Sequence, residues 1–543
     1  MSIETIPTGI RGLDDVLLGG VSRGNVILVE GAAGSGKTSL GLEFIYRGAL
    51  EHDSPGLVVS FEIAPQRLMR DAQGFRWDFA DLEARRRAKI IYTSPVVLLQ
   101  ELQSGDGVLA REIAELGARR VLIDGLTPVK VVGEALHGST FRDRLHLLVE
   151  MLQHKDVTAL ITREVPALET ARASQFSDEH FVCDTIIALR AEPRGRSVLR
   201  SLEIIKSRGQ DFITGQHTMR IEEGQGVRVY PRASARPRVL LEQPTSSQRS
   251  SVGVEAIDEM MGNGLYDGSI TLCVGVSGTG KTLLGLQFLV EGAKQGKKGL
   301  LVSLDEHPAQ IVRNAEGLDL QLQKYIDAGL VHIYYEAPQE LELDVHYWRI
   351  ASLVAEHGFS RVVVDSLAAY AAHEEDEREF RDFVYALSTY FKDRLITAFL
   401  NFESPELLGV SQISQDIKAS PIVDNIVLLN YVEVSNRLRR AMTVPKARGS
   451  APRRDTREYV IGRGGISLVP SAPEERVPQL PFSSYYGVLA RAPERRSPII
   501  EERVLKGEPL PKTTAADDGL GPRPRSSARV PSKKKARPSE RRR

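Results

Sequence analysis

The stretch GAAGSGKTSLGLEF, Gly31 to Phe44, returns 244 residues downstream as GVSGTGKTLLGLQF, Gly275 to Phe288. Leu13-Asp14 returns as Ile257-Asp258 at the same offset, and so do Gly20 and Gly24 as Gly264 and Gly268. Further on, Ser60 to Glu62 (SFE) returns as Ser303 to Asp305 (SLD), and Val121 to Leu126 (VLIDGL) as Val362 to Leu367 (VVVDSL). Lys206 to Gly209 (KSRG) returns as Lys446 to Gly449 (KARG), where the offset has drifted only to 240. So small a drift means two collinear copies of one domain. A period this long is not that of a solenoid, so each copy is expected to own its core.

The boundaries follow from composition. The first copy is expected over residues 1–235 and the second over 252–470, joined by a linker over 236–251 within the Pro/Arg/Ser/Gln-rich run Pro231 to Ser251. Residues 471–543 are rich in Pro, Arg and Ser without apolar periodicity and are expected to be mostly disordered. Within that tail, Pro478 to Leu489 (PQLPFSSYYGVL) could dock on the body. Inside each copy, short β-branched runs alternate with helical patterns. In the first, Asn25 to Val29, Gly56 to Phe61 and Arg120 to Ile123 read as strands. A helix from Thr38 places Leu40, Phe44 and Ile45 on one face. The expected fold class is therefore α/β, two tandem mostly parallel sheets flanked by helices on both faces.

The repeated loop has a specific chemistry. In Gly-x-x-x-x-Gly-Lys-Thr the glycines let backbone N–H groups turn toward phosphate, and the following helix N-terminus adds its positive dipole end. Gly31, Gly34, Ser35, Gly36, Lys37 and Thr38 form the first such loop. Gly275, Gly278, Thr279, Gly280, Lys281 and Thr282 form the second. Lys37 and Lys281 are expected on the β/γ-phosphates, and Thr38 and Thr282 on Mg²⁺. One match arises by chance in a few per cent of chains this long; two, in register within a repeat, do not. Asp124 and Asp365 end apolar strands, where P-loop proteins hold Mg²⁺. Glu62 in copy one, and Asp305 with Glu306 in copy two, follow the second strand, where a carboxylate can orient and deprotonate an attacking water or hydroxyl. Lys206 with Arg208, and Lys446 with Arg448, are cations of the kind that stabilise a transferring phosphoryl group, often from a neighbouring subunit.

Composition bounds the partners. Lys and Arg number 71, as do Asp and Glu, so the formal charge is zero. The zero hides a segregation: Gly521 to Arg543 carries ten cations against Glu540 alone, so the rest is as acidic as this end is basic. The tail reads first as a solvated end, then as a segment for a partner protein. Last comes an electrostatic surface for nucleic acid, with no aromatic residue from Gly521 onward to stack on a base. Two isolated cysteines, Cys183 and Cys273, both in apolar strand-like runs, exclude a four-cysteine zinc site and point to the reducing cytoplasm. No secretory leader is expected at MSIETIPTGIRG, and no apolar run is long enough for a membrane span.

The duplicated loop domain, the Gly-x-x-x-[Leu/Ile]-Asp opening, the strand-end acids and the Lys-x-Arg-Gly signature together resemble the KaiC family of RecA-like clock ATPases, over roughly residues 5–470. The resemblance implies a homo-oligomeric, usually hexameric, double ring with ATP and Mg²⁺ between adjacent subunits. It implies an ATPase in the first ring, and in the second a kinase that autophosphorylates a Ser/Thr pair. It also implies a signalling partner protein, and it makes Lys206, Arg208, Lys446 and Arg448 the residues that reach the neighbour's γ-phosphate. A recombinase or helicase relative, an ATPase driven by DNA, is the alternative. The sequence departs from the family at three points. Ile63 replaces one acid of the first catalytic pair, and Asp305 is one methylene shorter than glutamate. The acceptor pair falls on Ser420-Pro421, which leaves Ser420 as the candidate phosphoacceptor and removes a two-site phosphorylation cycle.

Overall fold

The computed structural model describes residues 4–102, 107–135, 140–166, 177–194, 197–235, 243–338, 341–373, 376–403, 422–434, 437–450 and 455–469. All belong to one compact unit, Met1–Leu489. The tail beyond 469, the Pro478 to Leu489 segment and Ser420-Pro421 lie outside the described residues.

Each copy is built on a nine-stranded sheet. In the first, β1 (Val26–Gly31), β2 (Gly56–Ser60), β3 (Ala88–Tyr92), β4 (Arg120–Asp124), β5 (Thr158–Glu164) and β6 (Thr185–Arg194) are parallel. They are followed by an antiparallel meander of β7 (Ser197–Ser207), β8 (Gln216–Glu222) and β9 (Gly226–Tyr230). The order is β3-β2-β4-β5-β1-β6-β7-β8-β9. The second copy repeats it with β10 (Ile270–Gly275), β11 (Gly299–Ser303), β12 (Val331–Tyr335), β13 (Arg361–Asp365), β14 (Thr397–Glu403), β15 (Asn425–Val434), β16 (Arg437–Ala447), β17 (Arg457–Gly462) and β18 (Gly465–Leu468), in the order β12-β11-β13-β14-β10-β15-β16-β17-β18.

The parallel strands are apolar on both faces because both faces are covered. In β1, Ile27 and Val29 face a core shared with Leu40, Phe44 and Ile45 of helix α1 (Lys37–Glu51). Val26 and Leu28 face the opposite core with Leu145, Leu148 and Leu152 of the helix Phe141–His154. The second copy has the same two layers around β10 and helix α2 (Lys281–Lys294).

The repeated Leu13-Asp14 opening has a local cause. Asp14 Oδ1 accepts from Thr8 N–H at 2.7 Å, and Asp258 Oδ1 accepts from Val252 N–H at 2.8 Å, so each acid folds the entering chain back on itself. Beneath each opening lies a fully buried arginine. Arg120 donates to the carbonyls of Thr8, Phe44 and Pro7, and Arg361 donates to those of Ser251 and Phe288.

Two local expectations need correction. Arg249–Ser250, read as linker, pairs antiparallel with Leu265–Tyr266, just as Thr5–Ile6 pairs with Val21–Ser22 in the first copy. Cys183 is not in a strand: it follows the short helix Asp178–Val182, and it is buried with Val182 in the core while Phe181 stays exposed.

The copies touch through helix α3 (Leu343–His357). Arg220 of β8 pairs with Glu342 at 3.1 Å. Asp344 accepts from the Thr218 hydroxyl at 3.1 Å and from Ala233 N–H at 2.9 Å, and Trp348 Nε1–H donates to Pro231 O at 2.7 Å.

Candidate nucleotide sites

Each loop runs directly from the C-terminal end of the central strand, β1 or β10, into the following helix. The turn needs a left-handed residue at the helix N-cap, and glycine fills it: Gly36 has φ 102° and Gly280 φ 98°. Lys37 Nζ donates to the carbonyls of Gly31 at 2.9 Å and Ala32 at 2.8 Å. Lys281 Nζ donates to Gly275 at 2.9 Å and Val276 at 3.1 Å. The ammonium thus closes each loop over the space where phosphate oxygens would sit. Burial lowers the Lys37 pKa, against the opposing charges of Glu164 and Asp124.

The strand-end acids meet the loop hydroxyls. Thr38 Oγ1 donates to Asp124 at 3.1 Å, and Thr282 Oγ1 to Asp365 at 2.6 Å. A third side chain holds each acid from the neighbouring strand: Thr162 donates to Asp124 at 2.8 Å, and Asn401 Nδ2 to Asp365 at 3.0 Å. Burial raises both carboxyl pKa values, and these hydrogen bonds act against it. A hydroxyl and a carboxylate side by side are the oxygen donors a hard divalent cation takes. Among the described residues no cluster of three or more His, Cys, Asp or Glu side chains could hold a metal. The residues present therefore fit a cation that completes its shell on phosphate and water.

The second site opens into a cavity of about 840 Å³. Gly278, Gly280, Lys281 and Thr282 line it, with Asp305, Glu306 and Asp365 among the acids. Asp305 accepts from the Ser366 hydroxyl at 2.9 Å, and Glu306 from Asn314 at 3.4 Å. A cavity of about 900 Å³ lies between the copies, walled by Leu18, Ile213, Trp348 and Tyr390, and none of the candidate residues lines it.

In the first copy Glu62 is exposed just beyond β2, while Ile63 packs half-buried against the α1-side core. The turn itself is the same in both copies. Ser60 Oγ donates to Ile63 O and accepts from Ile63 N–H, as Ser303 Oγ does with Glu306. The missing acid is thus a side-chain replacement on an unchanged backbone.

Lys206, Arg208, Lys446 and Arg448 stand elsewhere. Ser207 pairs with Thr185, which pairs with Ile27, so the Lys206–Arg208 segment lies beside the start of β1 while the loop follows its end. Four residues of strand separate the two levels, about 13 Å. Lys206 Nζ donates to His180 O at 2.6 Å, and Lys446 Nζ to Val423 O at 2.8 Å. Arg208 and Arg448 sit 3.7 Å from Asp184 and 3.4 Å from Asp424. Burial lowers the pKa of Lys206 and of Lys446, with the neighbouring arginine charge adding to it.

Sequence reasoning missed Thr162, Asn401, Glu164 and Glu403. Glu403 lies 3.6 Å from Lys281, and Glu164 bears on Lys37 by its charge. The repeat carried a signal for them: TRE ending β5 returns as NFE ending β14, both 239 residues apart.

Fold and loops define a tandem RecA-like P-loop protein with two candidate nucleotide sites. Comparison with known proteins narrows this. A family model described as "ATPase: KaiC" matches residues 6–234 and again 250–473. The circadian clock oscillator protein KaiC of Picosynechococcus sp. is 33% identical over 499 residues, spanning 91% of this chain and 93% of the relative. That of Thermostichus vulcanus is 33% identical over 502 residues, with the same coverage. That of Synechococcus elongatus is 33% identical over 473 residues, covering 86% of this chain and 89% of the relative. The chain belongs to the KaiC family of ATPases, which bind and hydrolyse ATP.

Proposed function

We propose that this protein hydrolyses Mg·ATP at the interfaces of a hexameric double ring and acts as a nucleotide-driven signalling switch in the cytoplasm. One observation carries the interfacial part. Lys206 with Arg208, and Lys446 with Arg448, sit at the opposite end of the sheet from the loop of their own copy. The phosphate such cations can reach is a neighbour's.

In each copy the loop amides and Lys37 or Lys281 bind and orient the triphosphate. Thr38 with Asp124, and Thr282 with Asp365, would hold Mg²⁺, which would neutralise charge developing on the phosphoryl oxygens. Glu62 is the general base of the first site and takes a proton from the attacking water. Asp305 and Glu306, on the cavity wall, take that role in the second. The neighbour's lysine and arginine stabilise the leaving charge. A carboxylate in the second site can equally accept a hydroxyl proton, so a serine autokinase reaction is open there, with Ser420 its acceptor. A single acceptor makes an on–off mark rather than a two-step cycle. The acidic body and basic tail suit a partner protein that reads ring conformation.

The test is phosphate release from Mg·ATP with and without single-stranded DNA, followed by peptide mass analysis for phosphate on Ser420. The expected result is hydrolysis indifferent to DNA, with ATP-dependent assembly lost in Lys37→Ala. Stimulation by DNA would replace this reading with that of a DNA-dependent ATPase. Unmodified Ser420 after prolonged incubation would remove the kinase clause alone.

A further inference from the structure

The two phosphate loops are nearly superimposable in sequence, yet their supports differ. The second is held from outside by two tyrosines. Tyr459 of β17, fully buried, donates its hydroxyl to Thr279 O at 2.6 Å. Tyr431 of β15 donates to Gly278 O at 2.8 Å, and Arg440, 5.5 Å from the Tyr431 ring, also reaches that carbonyl.

Sheet register identifies the first-copy counterparts. Gly31 pairs with Leu189 and Gly275 with Leu429, so Ala191 stands where Tyr431 does. Leu189 pairs with Leu202 and Leu429 with Met442, and the next pairings, Thr218 with Ser201 and Glu458 with Ala441, put Met219 at the place of Tyr459. The glycines agree: a side chain on Gly36 would meet Ile221, and one on Gly280 would meet Ile461, two residues beyond Met219 and Tyr459. Alanine and methionine carry no hydroxyl.

The bonded atoms decide what this difference does. A peptide group is planar, with C=O and N–H on opposite sides. Fixing Thr279 O on Tyr459 therefore fixes the direction of Gly280 N–H, at the loop position that lines the cavity and caps α2. Fixing Gly278 O orients the preceding peptide too, whose Thr279 N–H turns back to Val276 O at 3.4 Å and closes the loop. Amide donors already aimed need not be ordered when a phosphate arrives, and that entropy is otherwise taken from binding.

We propose that Tyr459, with Tyr431 as its half-exposed companion, is a positioning residue of the second nucleotide site, holding the loop Gly275–Thr282 in its triphosphate-binding shape with two hydroxyls that the first copy's counterparts, Ala191 and Met219, do not have. This rests on the reading that the loop holds a nucleoside triphosphate.

The experiment is equilibrium titration of the full chain with Mg·ATP. The binding component that Lys281→Ala removes belongs to the second site. In Tyr459→Phe that component weakens about three- to tenfold, the loss of one buried hydrogen bond to an organised loop. The first-site component stays unchanged, and KM of the second site rises while its kcat holds. A second-site Kd within twofold of the parent, alongside a lowered melting temperature, overturns the proposal and leaves a purely structural bond. Should Tyr459→Phe not fold, Tyr431→Phe decides instead: a weakening of about two- to threefold supports the proposal, and an unchanged Kd overturns it. If no ATP binding is removed by Lys281→Ala, the site reading itself fails, and the positioning role with it.

Discussion

Glu43 sits inside the first copy with no exposure to solvent, on a helix otherwise lined by Leu40, Leu42, Phe44 and Ile45. Its carboxylate accepts from Val227 N–H at 2.6 Å and meets Arg47 at 3.4 Å. Burial raises its pKa to about 7, outweighing those partners. The second copy holds Gln287 in the same place, accepting from Ile466 N–H at 2.8 Å and donating to Gly464 O. Between an unfolded value near 4.5 and the folded value near 7, the folded state keeps a proton that the unfolded chain releases, so Glu43 makes stability fall as pH rises through that window. Glu43→Gln should flatten this dependence and stabilise the first copy above pH 7 by up to about 3 kcal/mol, read from denaturant unfolding at pH 5 and pH 8. An unchanged slope between those pH values would show that Glu43 is ionised in the fold. Nothing in the local sequence marks Glu43 as buried. One face of α1 was legible from Leu40, Phe44 and Ile45, but the start of β9 that meets Glu43 is 184 residues away. The loop residues were legible because their chemistry is local: a glycine-rich turn, a lysine and a hydroxyl in eight consecutive positions.

At the scale of elements, each loop helix lies on the central strands closely enough to exclude a side chain at one point. A Cβ on Gly48 would stand 2.4 Å from Arg120 Cδ, and one on Gly292 would stand 2.5 Å from Arg361 Cδ. Neither arginine can retreat, since its guanidinium is pinned to carbonyls and stacked on Phe44 or Phe288 at about 4.5 Å. Gly48→Ala should therefore cost about 1–3 kcal/mol, a fall of several degrees in the melting temperature of a domain this size. A melting temperature within one degree of the parent would mean that the helix moves freely over the arginine. The strands were legible as β-branched runs ending in acids, and the repeat doubled every such assignment. The antiparallel meander β6 to β9 was not assigned strand by strand. Its half-buried strands mix charge with apolar residues, as in SLEIIKSRG, and their pairing depends on register rather than on composition.

On the scale of the whole molecule, the copies are joined by α3, whose N-terminal acids take hydrogen bonds from β8 and from the residues after β9. The cavity at the second copy's loop lies on the same body as this contact. Helix α4 (Leu367–His373) lines the cavity with Ala368, Ala369 and Ala372. Its Tyr370 hydroxyl meets His346 of α3 at 2.7 Å, and His346 in turn meets Glu336 at 2.7 Å. The candidate second site therefore has a packed, hydrogen-bonded neighbour in the element that holds the first copy. The neutral charge of the chain describes none of this, since it is the sum of an acidic pair of ATPase domains and a basic end. The central claim is that hydrolysis belongs to the interface between subunits, and mixing two crippled chains tests it most directly. One chain carries Lys281→Ala, and the other carries Lys446→Ala with Arg448→Ala. In a mixed ring, an intact second loop of one chain meets intact cations of the other. Phosphate release from the mixture above the average of the two parents is the predicted result. A mixture that only averages its parents, or a Lys446→Ala/Arg448→Ala chain that turns over like the wild type, would contradict it.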